Sequence, residues 1–135
     1  VGQFLVELDP AVYVIDCLPN MTGDLVAERT EPLVHQLRQA RPDTPIVLVE
    51  DRTYDYAFIK QGVRDRQTGS RAALRAAYER LVADCVGGLR YVPGELLLGD
   101  DGEATVDGSH PNDLGMMRMA DALTPVLEPL VADRE

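Results

Sequence analysis

Two short apolar runs limit what this chain can fold into. Ala11–Asp16 reads Ala-Val-Tyr-Val-Ile before its aspartate and Pro45–Glu50 carries Ile-Val-Leu-Val, while Leu89–Val92 reads as a third strand. Runs rich in β-branched residues, with no polar residue at alternate positions, suit strands covered on both faces. The stretches between them have helical spacing. Asp24–Arg41 carries Leu33, Val34 and Leu37 on one side, with Thr30 and Pro32 placed like the cap and first turn of a second start. Ser70 is placed to cap a helix reaching about Val86, whose apolar side holds Ala73, Leu74, Ala77, Tyr78, Leu81, Val82 and Cys85. Gly87-Gly88 follows as its stop. Asn112 caps a last helix with Leu114, Met117, Leu123, Val126 and Leu127. Strands that alternate with helices predict right-handed βαβ units and a parallel sheet, the α/β class.

The remaining segments are less regular. Gln3 to Leu8 reads as the tail of a helix that Asp9-Pro10 stops. Asp51 to Gly69 is polar and reads as a long loop with a partial helix. Leu96–Leu98 and Ala104–Val106 flank Asp100-Asp101-Gly102, the pattern of a hairpin turn. The 135 residues fit a single domain, 1–135, with no linker or repeat. A net charge of -10 repels phosphate backbones, which argues against nucleic acid and anionic membranes as partners. No apolar run approaches the ~18 residues of a membrane span. Cys17 and Cys85 make no disulfide framework, and free thiols lean toward a reducing, cytoplasmic compartment.

In a parallel sheet, working groups gather at the carboxyl ends of the strands. Three loops are expected there: Asp16–Thr22, Asp51–Tyr56 and Asp107–Asn112. The third holds Asp107-Gly108-Ser109-His110-Pro111. An acid three residues before a histidine can accept the Nδ1 proton, fix the tautomer and free Nε2 as a general base. It can equally be an aspartate capping a turn, with the histidine packed near a helix start. Asn20, after Pro19, suits an Asx-turn or an outward-facing donor. Arg52 and Tyr54 follow a strand and suit substrate contact; Arg52 could equally pair with Asp16, Asp51 or Asp55. Cys17 reads as a small filler before it reads as a thiol nucleophile. Asp100-Asp101-Gly102-Glu103 lacks the alternating ligands of a calcium loop, and His35 lies mid-helix. Asp107, His110 and Asp51 as metal ligands is an outlying alternative.

The block Val106-Asp107-Gly108-Ser109-His110-Pro111-Asn112-Asp113-Leu114-Gly115-Met116-Met117-Arg118-Met119-Ala120 resembles the last block of the SGNH (GDSL-type) hydrolases. Asp16-Cys17-Leu18-Pro19-Asn20 is similar to that family's third block, though it departs from the usual Gly-x-Asn-Asp. Val47–Tyr54 is familiar from a bacterial branch. The resemblance implies a three-layer αβα, flavodoxin-like parallel sheet. It also implies a serine-type ester hydrolase acting through an acyl-enzyme on small or acylated (including sugar) esters. His110 and Asp107 would complete the triad and Asn20 would donate to the oxyanion, with no cofactor and no metal. An acyltransferase of the same chemistry, or a non-catalytic binding module, stays open. The family's serine and glycine blocks are missing. The two serines, Ser70 and Ser109, suit a helix cap and a neighbour of His110. The resemblance therefore leads us to expect a domain incomplete at its N-terminus, its nucleophile on an upstream segment that pairs with Ala11–Asp16.

Overall fold

The computed structural model describes residues 1–132. Three strands, β1 (Tyr13–Ile15), β2 (Ile46–Val49) and β3 (Leu89–Val92), pair in parallel in the order β1-β2-β3. Tyr13 lies opposite Ile46, and Ile46 opposite Leu89. All four residues of β2 are buried, as its unbroken apolar run requires of a central strand.

Successive side chains of a strand point to opposite faces, and β2 feeds two cores. Ile46 and Leu48 pack with Val26, Val34 and Leu37 of helix α2 (Gly23–Ala40) and with Leu74 and Leu81 of helix α3 (Gln61–Ala83). Val47 and Val49 pack on the other face with Leu97, Leu98 and Ala104, and with Met119, Leu123, Val126, Leu127 and Leu130 of helix α4 (Asp113–Ala132). The architecture is three-layered, α2 and α3 on one face of the sheet and α4 on the other. Each fully buried Leu or Val contributes about 1.5–3 kcal/mol, so the two apolar layers are the main source of stability. A short helix α1 (Gly2–Leu5) precedes β1, and Tyr13 Oη donates to the carbonyls of Leu5 and Leu8 at 3.0 and 3.3 Å.

Four expectations are corrected. Helix α2 is continuous: Pro32 sits inside it, and the Thr30 hydroxyl donates back to Val26 O at 2.8 Å instead of capping a second start. Helix α3 begins nine residues before Ser70, which is buried within it and donates to Gln67 O at 3.1 Å. It also ends earlier, at Ala83, where Cys85 takes a left-handed φ of 61° and Gly88 one of 70°. Residues 96–106 form no hairpin. Gly94–Leu96 is a 3-10 turn, and Thr105 makes a single antiparallel bridge to Pro111. The Asp100–Glu103 turn is held by α4, where Arg118 donates to both Asp101 oxygens at 2.7 and 2.6 Å and to Leu98 O.

Arg38 ties the helix layer to the strand starts. Its guanidinium donates to the carbonyls of Arg41, Pro42 and Thr44 beyond the end of α2, and to Gly87 O before β3.

Candidate functional site

The loops at the carboxyl ends of β1 and β2 meet the loop before α4 in one cleft of about 490 Å³. Asn20, Arg52, Tyr54 and His110 all line it. The four come from three segments far apart in sequence, and the parallel sheet brings them together because its strands end on one side.

The His110 loop is built from its own backbone outward. Asp107 Oδ1 accepts the backbone N–H of Ser109 and of His110 at 2.9 and 2.8 Å. The second oxygen, Oδ2, lies 2.7 Å from His110 Nδ1. The two sequence readings of this aspartate are thus both geometrically present, one on each oxygen. The His110 amide, the imidazole and the Ser109 amide together hold the Asp107 carboxyl down at about 2. Both side chains are largely exposed. With Nδ1 facing a carboxylate, Nε2 is the nitrogen free to exchange a proton with a bound group.

The loop is fixed to its neighbours at several points. Gly108 has a φ of 83°, and a side chain there would run into the Tyr56 ring. Its N–H donates to Thr105 Oγ1 at 3.0 Å, and its carbonyl accepts from Asp55 N at 2.9 Å. The Thr105 hydroxyl donates in turn to Asp55 Oδ2. Arg52 donates from Nε to Ser109 O at 2.5 Å and from Nη2 to Ser109 Oγ at 3.1 Å. Asn112 caps α4, its Oδ1 accepting Gly115 N at 2.9 Å, while its amide donates to Glu103 O and Thr105 O.

Asn20 ends a 3-10 turn, Leu18–Asn20, and is exposed. No Asx-turn forms; its backbone N–H donates to Cys17 O at 3.2 Å. Cys17 is exposed rather than a buried filler, and lines an apolar groove with Ile15, Leu18 and Met21, away from His110. Desolvation by the surrounding protein, and the neighbouring Asp16, raise its thiol pKa, the opposite of what a thiol nucleophile needs. Asp16 shares the cleft; partial burial raises its carboxyl pKa and Arg52 pulls it back. His35 is exposed on α2. Among the described residues no group of three metal-ligating side chains occurs, and no helix is long and apolar enough to cross a membrane.

Beneath the cleft Asp51 and Tyr54 are buried, 1% and 3% exposed. Burial raises the Asp51 carboxyl pKa, opposed by the Tyr54 hydroxyl and then by Arg52, Arg66 and Arg71. Arg66, which sequence reading placed in a loop, projects from α3 into the cleft, as Met116 and Met119 do from α4.

A family model, the GDSL-like lipase/acylhydrolase family, matches residues 1–128. The chain belongs to that family. Among solved structures this GDSL-like chain is similar to a protein from Bacteroides ovatus described as a GDSL-like lipase. The identity is 31% and the TM-score 0.91, over 97% of this chain and 39% of that one. It shares its fold with the salicylyl-acyltransferase SsfX3 of a tetracycline biosynthetic pathway, at 15% identity and a TM-score of 0.76, over 96% of this chain and 40% of that one. The GDSL-like chain thus spans about two fifths of each of these structures. A search of curated protein sequences finds no match.

Proposed function

We propose that these residues supply the acid–base and oxyanion part of a serine-type acyl-transfer site. His110 acts as the general base, Asp107 orients it, and Asn20 donates to the oxyanion. The observation that carries this is the 2.7 Å contact between Asp107 Oδ2 and His110 Nδ1, in a cleft that Asn20 shares.

The nucleophile is a serine hydroxyl from a part of the protein outside these 135 residues. Ser70 is buried in α3, and Ser109 Oγ already accepts from Arg52. His110 Nε2 removes the hydroxyl proton as the oxygen attacks an ester carbonyl. Asp107 stabilises the resulting imidazolium, and the Asn20 carboxamide faces the negative oxygen; one such donor is worth about 3 kcal/mol in the transition state. His110 then returns the proton to the leaving alcohol, and water takes the acyl group from the serine to give a free acid. An acceptor alcohol in place of water makes the same site an acyltransferase. Small esters, including acylated sugars, are the substrate class.

The test is turnover of a simple aryl ester by the full-length protein. His110→Ala should lower kcat by about 10⁶-fold with little change in KM. Turnover that survives the substitution overturns the assignment. A non-catalytic binding module would show no turnover in the unsubstituted protein either. Adding an alcohol and measuring acid against new ester separates hydrolysis from transfer.

A further inference from the structure

Arg52 stands where sequence reasoning expects a substrate contact, yet its Nε and Nη2 donors turn inward to the protein. Nε and Nη2 both go to Ser109, and Nη1 lies 3.8 Å from buried Asp51 Oδ1. Arg66, which lines the same cleft, makes a comparable pair of contacts. Its Nη1 donates to Pro19 O at 2.8 Å and its Nη2 to Tyr54 Oη at 3.0 Å. The two guanidinium carbons lie 5.2 and 5.5 Å from the centre of the Tyr54 ring. Gln67, the residue after Arg66 on α3, donates to Arg52 O.

We propose that Arg52 and Arg66 are positioning residues that hold the His110 loop and the Asn20 turn in register, with Tyr54 as the spacer between them. This rests on the function proposed above. Each arginine grips the residue just before a candidate functional one: Ser109 before His110, Pro19 before Asn20. A peptide unit is planar, so fixing a carbonyl oxygen fixes the start of the next residue. A guanidinium suits this task because its donors lie in a rigid plane and it is always charged. Two cations beside one ring repel each other; the buried Asp51 carboxyl lies 3.8 Å from Arg52 Nη1, and both arginines favour its charged form against its burial. The Asp107–His110 pair lies within one loop and forms without Arg52. What Arg52 and Arg66 add is the placement of that pair relative to Asn20. A misplacement of about 1 Å between catalytic groups can cost about 100-fold in rate.

The experiment compares His110→Ala, Arg52→Met, Arg52→Lys, Arg66→Met and Ser109→Ala in the full-length protein, on the same aryl ester. Positioning predicts that Arg52→Met and Arg66→Met each lower kcat by about 10- to 100-fold with KM changed less than about threefold. Arg52→Lys should recover part of the loss, because an ammonium can still donate to Ser109 O. Ser109→Ala should cost less in the Arg52→Lys background than alone, since the two share one bond. If Arg52→Met fails to fold, this last pair decides, and additive losses overturn the proposal. A rise in KM with kcat preserved overturns it in favour of direct substrate contact, and unchanged kinetics overturn it outright. His110→Ala separates the two levels: if it retains turnover, the proposed function falls; if it is inactive while the arginine variants behave otherwise than stated, only the positioning role falls.

Discussion

Asp107 makes a different set of contacts with each of its oxygens, and one substitution separates them. An asparagine at 107 keeps a carbonyl oxygen for the Ser109 and His110 amides, so the turn survives. It offers an amide N–H, or a much weaker acceptor, to His110 Nδ1 and so favours the wrong tautomer. On the function proposed above, Asp107→Asn should lower kcat in the full-length protein by about 10³- to 10⁴-fold with little change in melting temperature. An unchanged kcat would mean that the turn is all this aspartate makes. The pH dependence carries the same sign. The Asp107 carboxyl is held at about 2, below its ordinary value of 3.8, so its contacts favour the folded loop above that ordinary value. They are lost as pH falls through about 2. Any acid limb that kcat/KM shows between pH 4 and 8 should then belong to another group.

At the scale of elements, the junction of β2, β3 and α3 turns on one buried carboxylate. Glu50 is 2% exposed. It accepts from Arg75 Nη2 at 2.8 Å, Gly94 N at 2.9 Å and the Tyr91 hydroxyl, with Arg71 Nε 3.8 Å away. Burial and this carboxylate push the Tyr91 hydroxyl pKa well up, so the tyrosine stays a donor. The partners come from three elements, Arg71 and Arg75 from α3, Tyr91 from β3 and Gly94 from the 3-10 turn after it, and the set fixes where β2 ends and the cleft loop begins. Removing one member strands the others without water. Glu50→Ala should cost about 3 kcal/mol in urea unfolding of the full-length protein, whereas Arg75→Ala, at the exposed edge, should cost about 1 kcal/mol. Equal costs would show that the buried side of the network carries no special weight.

For the whole molecule, the sheet is asymmetric. Both faces of β2 are covered, while among the described residues β1 pairs on one side alone and Val14 is 40% exposed. Tyr13 N–H donates inward to Pro45 O at 2.9 Å, so by alternation the Val14 N–H points away from the sheet. An apolar strand with an open edge pairs readily with another. We expect a further segment of the full-length protein to pair there, the same segment expected to bring the serine to His110. Hydrogen exchange on the full-length protein should show a protected Val14 amide. Exchange as fast as in an exposed loop would rule that pairing out. Residues 1–135 expressed alone should associate or unfold, and a cooperatively melting monomer that turns over esters would contradict both the pairing and the external nucleophile.

Burial patterns and short spacings were legible in the sequence, and groups meeting across the sheet were not. The three strands, α2, α4 with its Asn112 cap, and the Asp107–His110 pair all depend on residues a few positions apart, where period and reach are set by the backbone alone. The first turns of α3 escaped that logic. Arg66, Gln67, Ser70 and Arg71 continue the stripe of Leu74, Ala77 and Leu81 at helical spacing, but they are polar because their inward face meets carbonyls and Tyr54 rather than a core. A hydrophobic pattern ends where a helix enters a site, even though the helix does not. The supposed hairpin failed for the related reason that Leu97, Leu98 and Ala104 are apolar to pack under α4, not to pair with each other. Tertiary structure alone decided that Arg52 turns its donors toward Ser109, since the carbonyl it grips lies 57 positions away.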